Sequence, residues 1–505
     1  MDGRAARILG SSALLVALLA GGCSSDSEDD PDEGIGDPWS EGVELTRDAQ
    51  RAGDPERGRD ILLNGNYMSC GFPTSQLGAF GSFVDGALGA SGDAPKVSGR
   101  DERNADQPYN TNVFDTESGV EVTNQNCLHC HGGMFNGELV LGLGDPSLDF
   151  TDGLGGEMAS ALELSPAALA ALGFDEAEQE QMAKLGRLAA LSEGTRMRTV
   201  GHNPAESLTV LLVAHHDQQT LEWLDDVEPI QIRDADGDVI EDARLTSDPP
   251  PWWRVHKKNA LFYNGMARGD HRGTMALATS ICVDTIEEAQ RIDELFVDIH
   301  AFVETVRAPA YPFEIDDDLA AQGEDIFVQT CAGCHGTYAD EEADETYPNL
   351  LIPLDVIGTD PVVAEGGTVH APELVEWYNG SFYGEVTPLE VNDPFPGYMP
   401  PPLDGIWATG PFLHNGSVPT IELLLNSEAR PKYWKRTDFD TTHFDEAALG
   451  WPFEEVDYRQ ADAPEDERKY VYDTTYFSQS NAGHTFGDHL DDDERSAVLE
   501  YLKTL

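Results

Sequence analysis

Cys127-Leu128-His129-Cys130-His131 and Cys331-Ala332-Gly333-Cys334-His335 repeat one pattern, in which two thiols three residues apart are followed at once by an imidazole. Thiols at this spacing lie about one turn apart, where both can add to the vinyl groups of one porphyrin, and the next residue can turn its imidazole onto the iron. The pattern is the attachment site of a haem c, so the chain is predicted to carry two of them. Cys127, Cys130, Cys331 and Cys334 would form the covalent links, with His131 and His335 as iron ligands. With seven Cys and fourteen His in the chain, chance supplies roughly 0.003 such pentapeptides. Paired zinc ligands are the competing chemistry. Zinc ribbons separate their Cys pairs by about 15 to 20 residues, whereas these pairs stand far apart in the chain and each carries its own His.

What a haem does depends on its other axial position: two protein ligands favour electron transfer, and an open position can bind dioxygen or peroxide. Downstream of His335 the candidate second ligands are His370, Met399, His414, His443, His484 and His489. His489 begins the last helix and His443 lies in a polar stretch, where surface positions are the ordinary expectation. For the first haem no residue stands out. His202, His215, His216, His256 and His271 lie in one long insertion, and Met134 is too near His131 to cross to the other face. This silence favours an open first haem, hence an enzyme. Peroxide cleavage would also need a carboxylate or imidazole to move a proton, and none can be assigned. Trp252, Trp253, Phe262 and Tyr263 either line a distal pocket, carry electrons between haems, or fill the core. Arg254, Lys257 and Lys258 pair either with haem propionates or with nearby carboxylates.

The positioning elements are mainly helical. Leu319, Gly323, Ile326 and Phe327 share one face of a helix leading into Cys331, while Val498, Tyr501, Leu502 and Leu505 share a face of a last helix with Asp491 and Glu494 in capping-box spacing. Two helices bracketing a haem motif are similar to the class I cytochrome c fold. Thr285 and Glu288 start another helix, whose face carries Ile292, Phe296, Ile299 and Val303 and which is expected to join two haem units. Ser165-Pro166 with Gly173, and Asn203-Pro204 with Glu206, mark shorter helices in the insertion. Ile230 to Ile240, around Asp236-Gly237, alternates like a small β-hairpin. Calcium is a possible but unsupported alternative there. An EF-hand loop needs Gly at its sixth position, and Gly237 is fourth from Asp234. The predicted fold is thus mainly α, with two class I cytochrome c-like haem domains, the first carrying a long helical insertion and the hairpin.

The domain boundaries read as a signal peptide over 1–23, an acidic disordered tether over 24–50, a first haem domain with insertion over 51–310 and a C-terminal cytochrome c domain over 311–505. Arg4 and Arg7 precede an apolar run from Ile8 to Ala20 that is too short to span a membrane. Gly21-Gly22-Cys23 resembles a bacterial lipobox, with Cys23 as the acylated residue, although Leu19 sits one position further from Cys23 than the commonest pattern; an ordinary cleaved signal is the alternative. Either reading places the protein outside the cytoplasm, on a periplasmic or cell-surface face, with the membrane reached only through the lipid on Cys23. Cys70 and Cys282 remain, and an oxidising compartment would permit their pairing. The net charge of -62 disfavours nucleic acid as a partner. It either steers a small basic electron-donor protein, such as a cytochrome, or is a solvated acidic surface.

One segment carries a resemblance. Pro401-Pro402-Leu403-Asp404-Gly405-Ile406-Trp407-Ala408-Thr409-Gly410-Pro411-Phe412-Leu413-His414-Asn415-Gly416 followed by Ser417-Val418-Pro419-Thr420 is similar to the signature of bacterial dihaem cytochrome c peroxidases and the related tryptophylquinone-forming dihaem enzymes. Between this signature and the closing helix the peroxidases place the Met that ligates their second haem. The matching stretch here is Ser480-Asn481-Ala482-Gly483-His484, so the resemblance implies His484 as the ligand, with Met399 immediately before the signature and His414 within it as its rivals. A second imidazole in place of Met lowers the haem's potential. That change, with the wide separation of the two motifs, looks more like the rubber-oxygenase branch, in which dioxygen is held on the first haem. The resemblance implies an oxidoreductase acting on peroxide or dioxygen. An electron carrier with two six-coordinate haems is the alternative.

Overall fold

Two helix pairs organise the chain, and in each a glycine lets two backbones meet. In this computed structural model, which describes residues 37–80, 94–156 and 162–505, α1 (Pro55–Asn64) crosses α2 (Ile286–Val303), and α3 (Asp317–Thr330) crosses α4 (Asp492–Leu502). A Cβ on Gly58 would overlap the Asp298 carbonyl oxygen, and one on Gly323 would overlap that of Ala497. Only glycine lets the backbones approach this closely.

The ends of these helices follow from local chemistry. The Asp54 and Thr285 side chains accept from the first turns of α1 and α2, and Asp316 does so for α3. Asp491 and Glu494 form the expected reciprocal capping box on α4. The second pair brackets the Cys331 motif, as expected. In the first, α2, the helix expected to join two haem units, packs along α1 through the buried Ile292, Phe296 and Ile299. Its apolar stripe meets its match on α1 at Ile61 and Leu62.

The class is mixed helix and strand, not mainly α. Eleven short strands form four small antiparallel sheets among the described residues. The longest pairing joins Thr111–Asp115 to Glu121–Gln125, and a hairpin pairs Gly132–Phe135 with Glu138–Leu141 directly after the first haem motif. Its turn, Asn136-Gly137, has φ of 48° and 75°, the left-handed pair that Asn-Gly favours in a two-residue hairpin. The hairpin expected at Ile230–Ile240 is reduced to a turn with the single bridge Arg233 to Val239. The insertion does contain helices at Pro166–Leu172, Glu176–Ser192 and Ala205–Ala214, the first capped by Ser165 and Gly173 as read. Residues 216 to 251 form no helix.

Two principal cores exchange segments across the boundary near Ala308–Pro312. The core beneath α1 and α2 takes Val362, Leu374 and Tyr378 from the later half, and the core beneath α3 and α4 takes Phe135, Leu143 and Trp253 from the earlier half. A disulfide joins Cys70 to Cys282, with Cα atoms 5.4 Å apart and 212 positions apart in sequence. Closing so long a loop removes unfolded-chain entropy worth about 5 kcal/mol.

The leader, Cys23 and the tether up to residue 36 lie outside the described residues. From Asp37 the tether reading is corrected. Trp39 lies against Gly333, Val43 pairs with Leu351, and Leu45 is buried. These apolar residues give the stretch a surface to dock, which the acidic residues before it lack.

Replacing Gly323 with Ala should destabilise the protein by about 2 kcal/mol or more, because forced overlap outweighs the gain of about 1 kcal/mol in helix propensity. Thermal unfolding of the variant checks this; stability equal to or above that of the parent would contradict the close crossing.

Candidate functional site

Cys331 closes α3, and residues Ala332–His335 add one further turn, so the helix carries both thiols and the imidazole into the interior. Gly336, at φ 87°, ends that turn where any Cβ would overlap the Thr346 carbonyl. The carbonyl of Pro401 lies 2.8 Å from His335 Nδ1, which places the proton on Nδ1 and leaves Nε2 as a free ligand. Tyr338 hydrogen-bonds the His335 carbonyl at 3.1 Å.

His484 faces His335 across a largely apolar cavity of about 170 Å³, whose walls also include Cys331, Cys334, Phe327 and Leu403. The two ring centroids are 6.2 Å apart. Metal–imidazole bonds of about 2 Å on opposite sides of one iron, with a ring radius of roughly 1 Å added on each side, require about 6 Å. The donor set therefore fits a haem c with two imidazole ligands. Burial lowers the His335 pKa to about 4, Pro401 opposing and Arg254 assisting, and lowers that of His484 to about 3, with His335 and Arg430 adding to the effect. Both rings are neutral at pH 7, the form that binds metal. Burial also pushes the Cys331 thiol up to about 12 and the Cys334 thiol up to about 11.

The rivals for this position have other partners. Met399 also borders this cavity, but it is buried with Leu45, Ala260 and Leu351 and packs its thioether against Gly265. His414 reaches the cavity wall but stacks on Tyr398, centroids 4.3 Å apart, with its Nε2 3.2 Å from the Tyr398 hydroxyl. His370 Nδ1 faces the Arg233 carbonyl at 2.5 Å. His443 and His489 are exposed.

The first motif is built differently. Asn126 caps a short 3-10 turn at Cys127–His129 by accepting from Leu128 N, and the Tyr67 hydroxyl accepts from Cys127 N at 3.1 Å. Burial raises the thiols of Cys127 and Cys130 to about 11 and 12, the second facing the Asn203 side chain, and lowers His131 to about 4. The His131 ring stacks on Trp252, centroids 5.1 Å apart at 29°, with the Pro250 carbonyl beside it but outside hydrogen-bond geometry. Cys127, Cys130 and His131 thus follow one another through this turn, with Tyr67, Asn203 and Trp252 around them. Each imidazole of the insertion has a neighbour of its own. His215 stacks on Trp223, His216 meets the Leu212 and Val283 carbonyls, and His256 faces Glu342. His202 lies edge-on to Tyr472, and His271 to His300.

The basic residues divide. Lys257 pairs with Glu345 and Asp404, each at 2.6 Å. Arg254 lines the cavity and donates to the Asp404 carbonyl and the Thr409 hydroxyl. Burial beside Arg254 lowers Lys258 to about 8. The Asp234 carboxylate accepts from the backbone of Asp236 and Asp238, and no group of three His, Cys, Asp or Glu is arranged for a metal ion among the described residues.

Glu206 was legible only as a first-turn acid of its helix. Its carboxyl borders a second cavity of about 40 Å³ beside His370, and burial raises it to about 7, which suits a group that exchanges protons near neutrality. Tyr398 and Asp248 were missed because nothing in their sequence neighbourhoods marks them; both line the larger cavity.

Residues 397–435 match the family model described as RoxA-like, cytochrome c-like. This segment holds Pro401 and His414, and the match supports a RoxA-like cytochrome branch, covalently bound haem c and electron transfer. Among curated proteins, the chain is similar to uncharacterized protein y4iJ of Sinorhizobium fredii (strain NBRC 101917 / NGR234), 30% identical over 263 residues, 40% of this chain and 41% of that protein. It is also similar to uncharacterized protein y4iM of the same strain, 25% identical over 228 residues, 41% of this chain and 49% of that protein. The chain spans less than half the length of the curated relatives it matches.

Burial lowers the His414 pKa from 6.5 to about 3, so the unfolded chain takes up its proton first as pH falls. Stability from the neutral ring is complete above pH 6.5 and is lost towards pH 3, at about 1.4 kcal/mol per pH unit. Denaturant unfolding of the parent and of His414→Phe should therefore show their stability difference shifting by that slope against the parent below pH 6.5. Parallel pH profiles would contradict a buried neutral imidazole.

Proposed function

We propose that the protein is an exported dihaem c-type oxidoreductase. In this reading Cys331, Cys334, His335 and His484 hold an electron-exchanging haem, and Cys127, Cys130 and His131 hold a haem whose other face takes dioxygen or peroxide. The observation that carries it is the His335–His484 pair, 6.2 Å apart across the cavity that also reaches Cys331 and Cys334. A haem c supplies a reversible one-electron couple and, where an axial position is open, a binding site for these oxidants.

The protein's own residues make the two sites unequal. Pro401 orients His335, and Phe486 packs edge-on to His484 at 5.3 Å, so both rings of that pair are held. At the first site Trp252 supports His131 from the side. Trp252 and Arg254 lie on one short 3-10 helix, Trp252–Lys257, and Arg254 reaches the cavity of the second site. That helix therefore touches both donor sets, through the Trp252 stack on His131 and through Arg254 in the cavity wall. Glu206, poised near neutrality, is a candidate proton-exchanging group.

Two imidazoles on the second haem give a lower potential than imidazole with thioether. This favours the dioxygen-using, rubber-oxygenase-like branch over the high-potential relay of the peroxidases. The acidic surface suits a small basic electron donor, and acylation of Cys23 would tether the protein outside the cytoplasm.

Replacing His484 with Ala should leave both haems covalently attached and convert the second from low-spin to high-spin, opening it to cyanide. Absorption and electron paramagnetic resonance spectra check this, and an unchanged second haem would refute the ligand assignment. If both haems of the parent are low-spin and inert to cyanide and peroxide, the protein is an electron carrier instead.

A further inference from the structure

The segment that presents His484 has an unusual backbone. His484 itself has φ 47° and Gly483 has φ 74°, and a non-glycine residue in this left-handed region costs roughly 1 kcal/mol or more. Gly483 is pressed against Gly358 so closely that a Cβ would overlap its backbone. One backbone bond, from His484 N to the Ile357 carbonyl at 2.8 Å, ties the segment to that side of the cavity. A loop in this conformation needs further ties to stay in place.

Asn481 Nδ2 gives one, to the Pro431 carbonyl at 2.9 Å, and Arg430 supplies three more. A guanidinium has five N–H donors in a fixed planar fork, and here every one meets a backbone carbonyl. Nη1 donates to Asn481 at 2.8 Å and to Gly483 at 2.6 Å, while Nη2 donates to His484 at 3.0 Å. The remaining donors go to Leu424 at 2.9 Å and, from Nε, to Leu423 at 3.0 Å. Leu423 and Leu424 end the short helix Ile421–Leu424, and the guanidinium adds a side-chain donor to each of these last carbonyls. One side chain thus joins a helix end to the His484 loop.

Among the described residues no carboxylate lies within ion-pair distance of this guanidinium. Asp488, the acid that acts on it, accepts instead from Ser427 N at 2.7 Å and Ser427 Oγ at 2.5 Å. The five carbonyls belong to five residues on two separate segments. A lysine ammonium, with three donors on one atom, cannot meet them all.

We infer that Arg430 is a positioning residue that clamps the 481–484 loop and so keeps the His484 imidazole facing His335. This rests on the reading of His484 as the second ligand of the second haem. Arg430 touches no reacting atom; it acts through the carbonyls of the loop. Loss of the clamp frees a backbone that pays conformational energy to present the ring, so the ligand should detach part of the time.

The test uses the full haem-loaded protein and two variants, Arg430→Met and Arg430→Lys, beside His484→Ala. In Arg430→Met a high-spin fraction should appear at the second haem, and cyanide should bind there on the order of tenfold faster, the effect of losing one strong hydrogen bond's worth of restraint. Arg430→Lys should fall between Met and parent. A parental spin state and cyanide rate in both variants overturn the inference, even if their melting temperatures fall, since a purely structural role would lower stability without releasing the ligand. If Arg430→Met yields no loaded protein, the same two readings on Arg430→Lys decide. A spectral change in His484→Ala with none in the Arg430 variants sinks the clamp alone, whereas no change in His484→Ala sinks the ligand reading beneath it.

Discussion

The imidazoles of His335 and His484 face one another across a largely apolar cavity, their centroids 6.2 Å apart, although they come from opposite ends of the C-terminal half. Much of the surrounding structure serves that juxtaposition. His335 arrives on the end of α3, a rigid helix anchored by its glycine crossing with α4. His484 arrives on a loop with left-handed backbone. The signature segment runs between them and provides both the carbonyl that orients His335 and the His414–Tyr398 stack in the wall. Burial keeps both rings uncharged, so desolvation here favours the ligand form instead of opposing it.

The same construction appears at the first motif up to a point. A glycine-crossed helix pair, α1 with α2, accompanies Cys127, Cys130 and His131, as α3 with α4 accompanies the second set. Beyond that the two diverge. A β-hairpin follows His131 directly, and Trp252 stacks on its ring. The exchange of segments between the two cores brings the Trp252–Lys257 turn against both motifs, with Trp252 on the His131 ring and Arg254 in the cavity wall beside His335.

Much of the site could be read from the chain because its chemistry is local. The two Cys-Cys-His patterns, the capping box at Asp491 and Glu494, and the helix faces before Cys331 and after Thr285 depend on residues within a turn or two of each other. His484 came from a resemblance, and the structure brings it opposite His335. Failures share a cause as well. The strands are two to five residues long, too short to show alternation, although Asn136-Gly137 was a usable turn signal. The docking of Trp39 and Leu45, the pairing of α1 with α2, the Glu206 cavity and the Tyr398 stack all depend on partners remote in sequence. Cys70 with Cys282 shows this most simply: the residue types allowed a bridge, and only the fold brings the two thiols together.

The central claim is that the two haem sites are unequal, one closed by a second imidazole and the other open. Low-temperature electron paramagnetic resonance of the oxidised, haem-loaded protein tests it most directly. The account predicts one low-spin signal of the bis-imidazole type together with one high-spin signal of equal intensity. Two low-spin signals of equal intensity, or a second haem with imidazole–thioether character, would contradict it.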